Sequence, residues 1–286
     1  MRIAISAEST IDLPKELLTE FDIHTLPFTM ILGDKNYLDG EISPEEMFQF
    51  TNKTGKLPKT SAVNEFQFEE HFDKLKEEGY DAIIHFSLSS ALSSAYKNAC
   101  RVAARKENIF VIDTKSLSTG IALQAIYARR LAQKGFDVSV IYEKCLTRIP
   151  SDQASFVLES VKFLYKGGRC SMLSMLGANL LQIKPEIIVK TDSGKMVSGR
   201  KYRGKFNKVV MDYVEGVLST FTTPDKEFVF ITYSTAPDEV VEQVKERLQQ
   251  EGFRHIYPTR AGGTISSHCG PNCLGILYIN DGEHPL

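Results

Sequence analysis

Asp81-Ala82-Ile83-Ile84-His85-Phe86-Ser87-Leu88-Ser89-Ser90-Ala91-Leu92-Ser93-Ser94-Ala95-Tyr96 is the stretch that decides the fold. Residues 81–87 read as a buried strand, and 91–106 read as a helix. The serines of 89–94 therefore fall where a strand hands over to a helix. Free N–H groups of a first helical turn, the hydroxyls and the helix dipole converge there, a setting that favours an anion. In an open α/β sheet it is also the ligand end, beyond the carboxyl ends of the strands. The blander reading is a serine N-cap with spare serines beside it.

Working outward, the first half alternates strands and helices. Residues 2–6, 23–32, 81–87 and 108–113 read as strands, and 14–20, 44–52, 65–78, 91–106 and 118–134 as helices. Ser43-Pro44-Glu45-Glu46 carries a cap, a proline at the first helical position and a capping-box glutamate. Asn64 precedes Phe66, Phe68, Phe72 and Leu75, an apolar stripe at helical spacing. The alternation predicts a largely parallel sheet with flanking helices. Past Pro150 the order changes. Strands at 154–158 and 185–190, a turn at Thr191-Asp192-Ser193-Gly194-Lys195 and a returning strand at 196–203 make a hairpin. A helix at 206–220, a strand at 228–233, a helix at 238–251 and a strand at 275–279 follow. The fold class expected is α/β with two domains: an N-terminal α/β domain at 1–150, and a C-terminal α+β domain at 151–286 with a mainly antiparallel sheet.

Composition is that of an ordinary globular protein. The 286 residues carry a formal net charge of −2, which gives no general pull toward nucleic acid or an anionic membrane. Five cysteines without a disulfide spacing read as reduced thiols in a cytoplasm. The opening Arg2-Ile3-Ala4-Ile5-Ser6 reads as a strand and not a signal peptide, and no apolar run approaches the length of a membrane span. Met172-Leu173-Ser174-Met175-Leu176-Gly177-Ala178-Asn179-Leu180-Leu181 is apolar and Met-rich, suited to a buried helix or to an adaptable wall over an acyl chain.

Four further motifs accompany the serine stretch: Ser9-Thr10-Ile11-Asp12-Leu13-Pro14, Lys59-Thr60-Ser61, Gly167-Gly168-Arg169, and His268-Cys269-Gly270-Pro271-Asn272-Cys273. In order and spacing they resemble the DegV family over essentially the whole chain. Departures are Glu8 for the family's early Asp, Ala62 for the Gln after Thr-Ser, Ser94-Ala95 for Gly-Thr, and Asn272 for the second Gly of His-Thr-Gly-Pro-Gly. The resemblance implies a long-chain fatty acid carrier, with palmitate as a typical ligand, of the kind that serves as the presenting (FakB type) subunit of a bacterial fatty acid kinase. It implies that the ligand lies between the two domains, with the first carrying the carboxylate site and the second closing the acyl pocket. It also implies that Thr60 and Ser93 hold the carboxylate, and that His268 lies near it. Hydroxyls and N–H groups suit such a head group because they bind it without a buried countercharge, and Ser94 adds its backbone N–H. Ser61, Ser89 and Ser90 are expected to act structurally. An unperturbed His268 in a polar turn titrates near neutrality, which makes binding pH-dependent.

Arg169, Arg200, Lys201, Arg203 and Lys205 form a basic set. Residues 200–205 either decorate a solvated hairpin or make a docking face for phosphate or an acidic partner, and Arg169 is the first choice for that contact. Gly194-Lys195-Met196 lacks the flanking residues of a P-loop. The expected partners are a fatty acid and a separate ATP-dependent kinase, with a transient membrane contact allowed and nucleic acid excluded. No catalytic residue, cofactor or metal is expected: Cys269, Cys273 and His268 have a loose zinc spacing but no second ligand pair. Three alternatives stay open. One is a hydrolase using Ser93 and His268, although no Gly-x-Ser-x-Gly elbow is present. Another is a carbonyl-binding kinase subunit using His268. The last is a docking module without a ligand.

Overall fold

A computed structural model describes residues 1–169 and 183–282 of the chain. The Met-rich stretch 172–181 lies outside the described residues. The chain opens with β1 (Ile3–Glu8), α1 (Lys15–Glu20) and β2 (Ile23–Leu26), then turns through β3 (Thr29–Leu32) and β4 (Lys35–Leu38) into α2 (Pro44–Thr54). The capping box of Ser43 and Glu46 starts α2, and Gly55 in the left-handed conformation ends it. A short β5 (Lys59–Ser61) precedes α3 (Glu65–Glu77), which is capped by Asn64 and Gln67. Then follow β6 (Ala82–Ser87), α4 (Ala95–Ala103), β7 (Ile109–Asp113), α5 (Thr119–Gln133) and α6 (Val138–Arg148). The later part comprises β8 (Asp152–Leu158), α7 (Lys162–Lys166), β9 (Lys184–Val189), β10 (Met196–Tyr202) and α8 (Phe206–Thr220), then β11 (Phe228–Tyr233), α9 (Asp238–Glu251), β12 (His255–Arg260), α10 (Gly263–Cys269) and β13 (Cys273–Ile279).

The strands form three sheets. A four-stranded sheet has the order β2-β1-β6-β7, and every pair in it is parallel. A six-stranded sheet has the order β10-β9-β8-β13-β11-β12 and is antiparallel except for β11 beside β12. A small antiparallel sheet, β4-β3-β5, stands apart from both, with α10 packed on β3 and β5. Helix α5 lies between the two large sheets with α6 packed beside it, α3 and α4 pack on the parallel sheet at β6 and β7, and α8 and α9 cover the far face of the six-stranded one.

Alternation along the strands divides the core accordingly. Phe228 and Phe230 of β11 join Phe156 of β8 and Leu277 of β13 in the core shared with α5. Val229 and Ile231 face the opposite way and pack with Val157, Leu274 and the α8 and α9 side chains. Both faces are covered, so these strands read as continuous apolar runs and not as alternating ones.

The parallel and antiparallel sheets agree with the sequence expectation. Three local expectations are corrected. The run 23–32 is two strands in different sheets, because Pro27 interrupts it after β2. Helix α4 begins at Ala95 and not at 91, since 89–93 form a turn in which the Leu92 and Ser93 N–H groups both donate to Ser89 O. His268 lies on α10 and not in a turn.

Candidate functional site

Thr60, Ser61, Ser93, Ser94, Arg169 and His268 all border one cavity of about 260 Å³. They come from β5, the serine loop, the segment after α7, and α10. The rest of the lining is chiefly apolar, including Phe28, Leu88, Leu92, Leu117, Phe156 and Ile265. Among the described residues no Asp or Glu lines it.

The serine loop is fixed from three directions. Glu8, fully buried at the end of β1, accepts from Ser87 Oγ at 2.6 Å and from the Leu88 N–H at 2.9 Å. Ser90 donates to Asp113 at the end of β7, through both Oγ and N–H. Ser89 Oγ donates to the Gly194 carbonyl at 2.8 Å, which ties the loop to the β9–β10 turn. Ser89 and Ser90 are thus engaged in holding the loop. Ser93 is placed differently. Its Oγ accepts from the Ala95 N–H at 3.1 Å, so its own proton is free to point elsewhere. Ser94 occupies the N-cap of α4 with φ −80°, a backbone that carries a side chain without strain although the resembling pattern has glycine there.

His268 Nε2 lies 3.0 Å from Thr60 Oγ1, while its Nδ1 is buried without a hydrogen-bond partner. A proton on Nδ1 would be an orphaned donor, so the neutral ring is best written with the proton on Nε2, donating to Thr60. Thr60 Oγ1 is then an acceptor toward His268 and directs its own proton outward. Burial, reinforced by the Arg169 cation, pushes the imidazole down to about 4. The expectation of a titration near neutrality is therefore corrected.

The remote motifs serve this pair. Gly167 packs on the His268 ring so closely that a Cβ there would lie 2.5 Å from Nδ1. Arg169 Nη1 returns to donate to the Gly167 carbonyl at 2.6 Å. The amino end of α10 is held by two carboxylates that sequence reasoning missed. The Gly262 N–H donates to Asp12 Oδ1 at 2.8 Å and the Thr264 N–H to Asp39 Oδ1 at 3.3 Å. Ser118 Oγ also donates to Asp12, and Ser9 Oγ donates to Asp39. Gly263 leaves room for Met30, whose Sδ would stand 2.0 Å from a Cβ. The Ser9-Thr10-Ile11-Asp12 motif thereby fixes the helix that carries His268. The signal available was a polar motif in an otherwise apolar opening segment.

Arg200 and Arg203 are not brought to the cavity. The β9–β10 register shifts between Ser198 and Lys201, and Arg200 leans over α8, where Nη2 donates to Thr220 Oγ1 at 2.9 Å. Gly216 leaves room for it. Arg203 follows the end of β10 and is exposed. Asn272 does not line the cavity either. It adopts φ 52°, a left-handed conformation that asparagine tolerates, which suits a position where the resembling pattern has glycine.

Among the described residues no group of three or more His, Cys, Asp or Glu is arranged for a metal ion, and no helix is long and apolar enough to cross a membrane. The model of the DegV family, described as an uncharacterised protein family, matches residues 2–281. The chain is 28% identical over 283 residues to a Thermotoga maritima protein named fatty acid-binding protein, covering 96% of this chain and 96% of that one. It is 26% identical, with a TM-score of 0.84, to the crystal structure of a DegV lipid binding protein from the same organism, covering 99% of this chain and 100% of that one. A DegV family protein of Thermus thermophilus, whose structure is described by its fatty acid binding, shares the fold at a TM-score of 0.89 and 22% identity, over 98% of this chain and 100% of that one.

Proposed function

The chain belongs to the DegV family, and from that premise we propose that it binds a long-chain fatty acid, with the carboxylate at Thr60, Ser93, Ser94 and His268 and the acyl chain in the apolar part of the same cavity. The observation that carries this reading is one cavity whose wall combines the Thr60, Ser93 and Ser94 hydroxyls and His268 with an otherwise apolar lining. Each part of the wall answers one need of the ligand. At about 0.8 kcal/mol per buried methylene, a palmitate-length tail has roughly 10 kcal/mol of transfer free energy available. A carboxylate buried without donors would cancel several kcal/mol of that. Ser93 has a free hydroxyl proton, and Thr60 has one directed by His268. The N–H of Ser94 at the N-cap of α4 is the third donor.

The protein acts on this reading as a non-catalytic subunit that presents the acyl carboxylate to a separate ATP-dependent kinase and then carries the acyl phosphate. Two observations support it. The sequence has no nucleotide-binding motif. A groove bordered by Thr60, His268 and Arg169 is also lined by Lys56, Lys59 and Lys166, with no acidic residue among the described lining. Phosphate would meet cations there. The hydrolase alternative is disfavoured by geometry, since His268 Nε2 faces Thr60 and not Ser93, and no carboxylate orients Nδ1.

Native mass spectrometry of the protein purified from a bacterial host is the test. A bound mass matching a fatty acid is expected. Its absence, together with no uptake of added palmitate or oleate by delipidated protein, would contradict the reading. With a cognate kinase, Arg169→Ala is expected to lower acyl phosphate formation while fatty acid affinity stays nearly unchanged. Equal loss of both would move Arg169 into the carboxylate site.

A further inference from the structure

The cavity shares wall residues with two neighbouring spaces. On one side, past Thr60, Arg169 and His268, it meets the basic groove. On the other, past Leu117, Phe156, Ile265 and Cys269, it meets a chamber of only about 20 Å³. These four residues line both spaces and form a partition between them. A chamber of that size has room for about one water or one methyl group.

The chamber is lined chiefly by apolar groups. The serine and threonine hydroxyls on its wall are engaged: Thr232 Oγ1 lies 2.7 Å from Thr119 Oγ1 and 3.0 Å from Thr259 Oγ1, Ser234 Oγ donates to the Gly270 carbonyl at 2.6 Å, and Ser118 Oγ donates to Asp12. The sequence of spaces, from basic groove through hydroxyl-lined cavity to apolar chamber, sets a direction for an amphiphile. Its head group belongs at the groove side and its methyl end at the partition.

Phe156 is the largest side chain of that partition. It stands on the inner face of the six-stranded sheet and is 6% exposed. Gly275 of the neighbouring β13 lies beneath it, where a Cβ would be 3.0 Å from Phe156 Cβ and 2.4 Å from the Ser155 carbonyl. The ring therefore covers a strip of strand that has no side chain of its own. Without the ring, the strip becomes the floor of one continuous apolar space. Resting on the fatty-acid reading above, we propose that Phe156 sets the longest acyl chain this protein accommodates, by closing the small chamber against the tail.

The test uses delipidated full-length protein and a calorimetric series of saturated fatty acids from decanoate to eicosanoate. Affinity is expected to rise about fourfold per added methylene until the tail meets the partition, and then to level off. Phe156→Ala is expected to move that break to acids at least two carbons longer, and Phe156→Trp to shorter ones. Phe156→Leu, which disturbs packing less, is expected to move it in the same direction as Phe156→Ala by a smaller step. A break at the same length in the wild type, Phe156→Leu and Phe156→Trp overturns the proposal while leaving the carrier reading intact. No binding by the wild type at any length overturns the carrier reading and the partition with it.

Discussion

The serine loop at 89–94 and the basic hairpin end at 200–205 are equally conspicuous in the sequence, yet only the loop borders the cavity. The difference is one of position in the topology. The loop follows β6, an interior strand of the parallel sheet flanked by β1 and β7, at the edge where their carboxyl ends gather. Glu8, Asp113 and Gly194, all distant in sequence, converge to hold it. The hairpin end begins within β10, an edge strand, and its Arg200 turns to α8. Polar residues become a site where several strands end together, and a solvated face where one strand ends alone.

Acidification should act on the first region far more than on the second. His268 is pushed down to about 4 by burial and by Arg169, and His71 to about 3 by burial and then by its histidine neighbours. His71 Nε2 lies 2.7 Å from Ser6 Oγ, which lies 3.0 Å from His85 Nδ1, and His85 stands beside the Glu8 that anchors the loop. Both folded-state values lie below the unfolded value of about 6.5, so between them the unfolded chain binds more protons and stability falls as pH falls. Asp152, raised by burial to about 6, opposes this: its contribution is present below about pH 4 and lost as pH rises through 6. Asp12, raised well above the usual carboxylate range by burial, opposes it in the same sense. The histidine contribution, a loss as pH falls from about 6.5 toward 4, is isolated by comparing denaturant unfolding across pH in the wild type and the histidine variants. His268→Gln and His71→Gln should each flatten the profile, while changes in the hairpin should leave its shape alone. A profile unaffected by either histidine would break the comparison.

Next in size, Thr60→Val and Ser93→Ala should each weaken fatty acid binding by about 1–3 kcal/mol, the cost of leaving a charged acceptor short of a donor. Calorimetry on delipidated protein reads this directly. Gly167→Ala should cost about 1–2 kcal/mol of stability, because its Cβ has to displace the His268 ring. Thermal unfolding checks it. If the melting temperature is unchanged, the glycine is not there for His268. Smallest of all, Arg200→Ala should change stability by no more than about 0.5 kcal/mol and leave affinity unaltered, as expected for a surface contact.

Much of this arrangement is legible in the sequence, and the exceptions share a cause. The alternating apolar strands and the capped helices α2 and α3 carry local signals strong enough to read. What stayed hidden depends on partners far away in the chain. Helix α10 begins at Gly262-Gly263, a poor helical start by propensity, and is held by the Asp12 and Asp39 carboxylates. Strand β12 contains Pro258, which is tolerated because the strand lies at a sheet edge. The small sheet went unread because β5 is three residues long and finds its partner, β3, across α2. Helix α6, by contrast, follows Asp137 with Val138, Ile141 and Cys145 buried at helical spacing, and was open to reading from the sequence. In the site, Thr60, Ser93, Ser94, Arg169 and His268 were visible as motifs, while the apolar wall of Phe28, Leu117, Phe156 and Ile265 was not. The link from Thr60 to His268, and the distance of Arg200 from both, required the fold.

The carboxylate's location is tested most directly by carbon-13 NMR of carboxyl-labelled palmitate bound to delipidated protein. A single bound carboxyl resonance is expected, shifted by Thr60→Val and by Ser93→Ala and unmoved by Arg200→Ala. A resonance indifferent to Thr60→Val and Ser93→Ala but shifted by Arg200→Ala would put the head group on the basic hairpin and contradict the account.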